Sequence, residues 1–209
     1  MSHAQPRQDA PLNPALSEDA EAAVLADTTR WLERAVIGLN LCPFAKAVHV
    51  KGQVHCRVWP DDDLDGLMQA LLEEAQALRE LPAQQRDTTL LIAPHALSDF
   101  LDFNDFTARA ERRLRKAGHE GELQLASFHP HFQFAGAEPD AMSNATNQAP
   151  YPTLHLLRED SIERAVAAVP DAADIYERNI QTLQALGTEG WRALDVGAHR
   201  HASGNKESA

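Results

Sequence analysis

Apolar residues recur along this chain at two different periods, and the way the periods alternate predicts the architecture. Leu25, Leu32, Val36 and Leu39 follow one another at helical spacing. Ser17 is placed to cap that helix, and Glu18, Asp19 and Glu21 fall in its first turn, where the helix dipole favours negative charge. Gly38 and Asn40 mark its end. A second helix, capped from Asp61 to Asp63, carries a wide apolar stripe of Leu64, Leu67, Met68, Leu71, Leu72, Ala75 and Leu78. A third starts at Ser98, presents Phe100, Leu101, Phe103, Phe106, Ala110 and Leu114, and stops at Gly118. A fourth runs from Asp160 or Ser161 to Val169, is broken at Pro170-Asp171, and is followed by a last amphipathic helix ending at Gly187. Between these lie short, dense, β-rich runs at 87–93, 123–128 and 153–157, which read as strands. A looser alternation from Val48 to Val58 reads as a hairpin or one strand, with Gly52 in a turn and Cys56 packed inside.

Strands that alternate with one-sided helices predict an α/β fold: a single domain over 16–193 with a mixed or partly parallel sheet of about four to five strands covered by helices. Residues 1–15 read as a disordered leader and 194–209 as a disordered tail. Ligands in such folds bind beyond the carboxyl ends of strands. Pro94-His95 and His129-Pro130 follow two strand runs directly, so if those strands are parallel neighbours both histidines share one edge of the sheet.

Charge narrows the partners. With 31 acidic against 19 basic residues the net charge is −12, which argues against nucleic acid and anionic membranes. The one dense basic cluster, Arg109, Arg112, Arg113, Arg115 and Lys116, reads as a solvated helix face. Two cysteines make no disulfide framework, the N-terminal stretch has no signal-peptide pattern, and no run approaches the roughly 20 apolar residues of a membrane span. A cytoplasmic protein with reduced thiols and a small-molecule ligand is expected.

Candidate chemistry gathers in the polar stretch from His129 to Pro152, too long for an ordinary connection and rich in aromatic residues able to pack. Cys42 precedes Pro43, so a helix opening at the proline would place the thiol among unpaired backbone N–H groups and lower its pKa. His129 is then the candidate general base, with Asn144, Asn147, Gln133 and Tyr151 orienting a polar substrate and Arg158 holding an anion. The first functional reading is thiol-dependent hydrolysis or acyl transfer. The alternative is a non-catalytic protein that binds a metal or an anionic metabolite through His129, His155 and Arg158. His129, His155 and His95, with Glu138 or Asp140, are the candidate ligands for a divalent metal. No phosphate-binding, dinucleotide-binding, nucleophile-elbow or zinc-ribbon spacing occurs.

Several runs, WLERAVIGLNLCPFAKAV, DTTLLIAP, FLDFNDF, ASFHPHFQFAG, SNATNQAPYPTLHLLRE and YERNIQTLQALGTEGW, resemble the bacterial protein family labelled domain of unknown function 1415. The resemblance spans about Thr28 to Trp191. It implies a single-domain bacterial cytosolic protein and assigns no catalytic residue.

Overall fold

Ser17 opens the first helix as expected: its Oγ accepts from the Ala20 amide at 3.3 Å, and α1 runs over Glu18–Trp31. The helix then widens into a π-helical turn over Leu32–Ile37. In this computed structural model residues 16–168 and 174–199 are described. The leader over 1–15, tail residues 200–209 and the break at Pro170-Asp171 lie outside them.

Pro43 does not open a helix. The chain from Leu41 to Phe44 is taken up by bends and turns, in which the Leu41 and Cys42 amides both donate to the Val36 carbonyl. Helix α2 begins only at Ala45 and ends at Val50. Cys42 therefore contributes a carbonyl oxygen, accepting from the Ala45 amide at 3.2 Å, where the sequence suggested a capping thiol. The expected strand from Val48 is likewise shorter: β1 covers Val54–Val58 after a turn in which Gly52 takes φ +66°, a left-handed conformation that suits glycine.

Helix α3 spans Leu64–Glu80, capped by Asp63, whose carboxylate accepts from the Asp65 and Gly66 amides. Strand β2 is Thr88–Ile92, buried at every position, as a central strand covered on both faces must be. Helix α4 spans Phe100–Lys116, and its cap is Asp99 rather than Ser98, because the Asp99 carboxylate takes the Leu101 and Asp102 amides. Strands β3, Leu123–Phe128, and β4, Thr153–Arg158, follow, joined by the long polar segment. Helix α5 is Glu159–Ala168 and α6 is Ile175–Ala193. Gly187 does interrupt α6, with φ 65° and ψ 177°, but helix resumes beyond it.

The four strands lie in the order β1-β2-β4-β3, with β1 and β2 parallel and β4 antiparallel to both β2 and β3. Hence β1, β2 and β3 point the same way, and β4 inserts between β2 and β3. The runs at 87–93 and 123–128 are parallel in direction, yet they are not neighbours. One face of the sheet packs Leu91, Leu154 and Leu156 against the apolar stripes of α3 and α4. The other packs Val58, Leu90 and Ile92 against Val24, Trp31 and Val36 of α1 and the π turn, with Val196 closing the cluster. Among the described residues no helix is long and apolar enough to cross a membrane.

Candidate functional site

The carboxyl ends of β1, β2 and β3 share one edge with the start of β4, and the long segment from His129 to Pro152 lines it. That segment is ordered by its own side chains. Phe132 packs on Phe100 and Phe134, Phe134 meets Tyr176 of α6, and a 3-10 helix over Met142–Asn147 carries Ala145 onto Leu41 and Leu183. Asn144 is fully buried and clasps the loop: its Oδ1 accepts from the Phe134 amide, and its Nδ2 donates to the carbonyls of Glu138 and Pro139. Asn147 donates to the Ser127 carbonyl and Gln133 to that of Ala137. Among the described residues no peptide bond is cis, so those before Pro150 and Pro152 are trans.

His129 is buried with both ring nitrogens engaged. Nε2–H donates to the Leu97 carbonyl at 3.0 Å, which leaves Nδ1 to accept from the His131 amide at 3.0 Å. The ring lies between Phe100 and Phe103. Burial pushes its pKa down and outweighs the Leu97 carbonyl, so it is held as one neutral tautomer. Cys42 is half-buried, and its sulfur has no hydrogen-bond partner among the described residues. His155 faces α1 from β4, where its ring lies against Phe128. Thr88 Oγ1 donates to the Leu156 carbonyl, so His155 Nε2–H donates to Thr88 Oγ1 at 2.6 Å, and burial lowers the imidazole pKa to about 4. Burial also lifts the Cys56 thiol to about 11, in keeping with a packing role.

Arg158 points at backbone. Its guanidinium donates to the carbonyls of Leu78 and Leu81 at the end of α3 and to that of Arg86. It closes a helix terminus whose last carbonyls have no partner inside the helix. Among the described residues no three His, Cys, Asp or Glu groups are arranged to hold a metal ion. The structure brings His129 and His95 to the same edge of the sheet, as the strand ends suggested, but His155 faces α1 and His95 is exposed.

Two arrangements were not anticipated. The first is a buried carboxylate. Asp27 of α1 is 1% exposed and accepts from Tyr151 Oη at 2.8 Å, from Arg30 Nη2 at 2.7 Å and from His199. Burial alone raises its pKa, but the bonds from the His199 amide, Tyr151 and Arg30 overcome this and hold it below the ordinary carboxylate value. Burial and that same carboxylate drive the Tyr151 phenol upward. Aspartate in the middle of a helix gave no signal of this, since Tyr151 and His199 lie more than 100 residues away in sequence.

The second is a groove between α3 and α4. It encloses about 500 Å³ and is lined by Leu64, Met68 and Gln69 on one side and by Arg109, Arg112, Arg113 and Lys116 on the other. These four cations recur at i, i+3, i+4 and i+7, one face of a helix. The intervening Arg115 falls off that face and pairs with Glu120 at 3.2 Å. None of the four lining cations is in an ion pair among the described residues. Arg109 is steadied over the Phe106 ring, 5.5 Å from its centre. Asp65 is the one carboxylate in the lining. The groove continues past Leu64, Arg109 and Arg112 into a wider, acidic cleft of about 770 Å³, lined by Asp62, Asp99, Asp102 and Asp105, that reaches the sheet edge at His95–Asp99.

A family model described as Protein of unknown function (DUF1415) matches residues 23–193. No curated protein and no solved structure matches the chain.

Proposed function

The chain belongs to the DUF1415 family, which brings no activity with it, and we propose from the geometry that it is a binding protein for a small anionic metabolite, held in the groove between α3 and α4. The observation that carries this reading is the convergence of Arg109, Arg112, Arg113 and Lys116 on one groove whose lining holds a single carboxylate, Asp65, with none of the four in an ion pair among the described residues, in a chain of net charge −12. Unpaired cations at neighbouring positions repel one another, and an anion seated among them relieves that repulsion with charge-assisted hydrogen bonds. Arginine suits the task because its planar fork grips phosphate or carboxylate through two parallel bonds. Leu64 and Met68 supply the apolar wall that a ligand larger than a bare ion needs, and the volume suits a small molecule. The helix dipole accounts for cations in the last turn of α4, but it does not reach Arg109, two turns earlier.

Two features favour this reading over thiol chemistry. His129 has no free nitrogen with which to serve as a base. Arg158 commits its Nε and Nη2 to the carbonyl oxygens of Leu78, Leu81 and Arg86, which makes it a brace for the end of α3. Calorimetric titration with inorganic tripolyphosphate at low ionic strength tests the proposal. Binding is expected to weaken at least about tenfold in the paired variant Arg112→Gln, Arg113→Gln, which is about 1.4 kcal/mol, and to stay unchanged in Cys42→Ala. Equal affinity in the paired variant would move the site elsewhere.

A further inference from the structure

Residues 194–199 follow α6 and lie back across α1, beyond the stretch that the family model matches. Five bonds fasten them there. Arg34 donates to the Leu194 carbonyl at 3.0 Å, and Arg30 donates to the carbonyls of Asp195 and Gly197 at 2.7 and 3.2 Å. The His199 amide donates to Asp27 Oδ2 at 2.8 Å, and His199 Nδ1 lies 3.0 Å from Asp27 Oδ1. Val196 fills the apolar cluster beneath. The other ring nitrogen of His199, Nε2, lies 3.0 Å from Asp195 Oδ1. Both nitrogens thus face carboxylates, and only an imidazolium can donate to both. A neutral ring has one N–H, so it would turn a lone pair toward one of the two anions.

We propose that residues 194–199 form a pH-sensitive strap, clasped over the buried Asp27 carboxylate by the His199 imidazolium and released when that proton leaves. The groups facing His199 are Asp27 and Arg30 of α1 and Asp195 of the strap itself; Tyr151, from the segment before β4, shares the Asp27 carboxylate, and Arg34 shares Asp195. Two carboxylates favour the charged ring, and Arg30, whose guanidinium also touches Nδ1, opposes it. The hydrogen bonds to Asp27 and then Asp195 prevail, and the His199 pKa is raised. The clasp is therefore complete below the ordinary imidazole value of about 6.5 and is lost as pH rises through the higher value of the folded protein. Release would bare Arg30 and Asp27 beside Tyr151, uncovering a charged centre at the same edge of the sheet as the long loop.

Carbon-detected NMR on the full chain tests this, following the His199 ring and the carbonyl signals of Val196 and Gly197 from about pH 5.5 to about 8.5. The ring should titrate above about 6.5, and both carbonyl signals should move toward unstructured values with the same midpoint. In His199→Gln, which cannot titrate, they should be independent of pH. A ring midpoint at or below the ordinary value would overturn the strap. So would carbonyl signals that stay fixed while the ring titrates, or that move in His199→Gln as they do in the parent chain.

Discussion

At the scale of single residues, His129 behaves as a core side chain with two directional bonds. Replacing it by alanine removes both and opens a space between Phe100 and Phe103. His129→Ala should cost about 2–4 kcal/mol in denaturant unfolding while leaving anion binding unchanged in whatever fraction folds. His155 makes a pH prediction. Its pKa is about 4 in the folded chain and 6.5 when free, so the unfolded chain takes up the proton first as pH falls. The stabilisation is complete above the free value and declines through the folded one, by about 3 kcal/mol. His155→Gln should flatten the stability profile across that window; an unchanged slope would show that the loss comes from other groups. At this scale the sequence was least legible. Cys42, His129, Asn144 and Arg158 were the right types for chemistry, but what each touches depends on chain far away. Arg158 reaches the end of α3, about 80 positions earlier. Asn144 was equally readable as a loop clasp or a substrate contact, because either role needs only a carboxamide.

At the scale of elements, periodicity carried most of the information. The stripes of α3 and α4 are legible because each helix buries one continuous face, and the runs at 123–128 and 153–157 became strands at nearly those bounds. Periodicity alone leaves the exposed side of α4 ambiguous. The cations at 109, 112, 113 and 116 were visible as a cluster, yet a solvated face and a groove wall have the same spacing, and only the placement of α3 alongside separates them. Gly187 was expected to end α6 and instead bends it. Its φ of 65° with ψ of 177° is a conformation open almost only to glycine, and a Cβ there would meet no neighbouring atom. Gly187→Ala should therefore cost about 1–3 kcal/mol through backbone strain alone, read as a shift in denaturation midpoint. Arg158→Ala should lower stability by about 2 kcal/mol through unmet carbonyls at the end of α3. Arg158→Lys should recover only part, since an ammonium cannot span several carbonyls as the guanidinium does.

At the scale of the whole molecule, the order β1-β2-β4-β3 was hidden because no local pattern reports that the last strand inserts into the middle. The edge it creates was partly foreseen, since His95 and His129 do emerge there. The net charge of −12 argues against nucleic acid and anionic membranes through its long-range field. It does not govern a groove where four cations stand within one another's reach, and anion affinity there should fall as salt rises.

Amide chemical-shift mapping during titration with tripolyphosphate locates the anion site most directly. The shifts should concentrate on Leu64–Gln69 and Arg109–Lys116, leaving the amides of Cys42, His129 and Arg158 unmoved. Shifts centred on those three residues instead would contradict the account and return the site to the rim of the long loop.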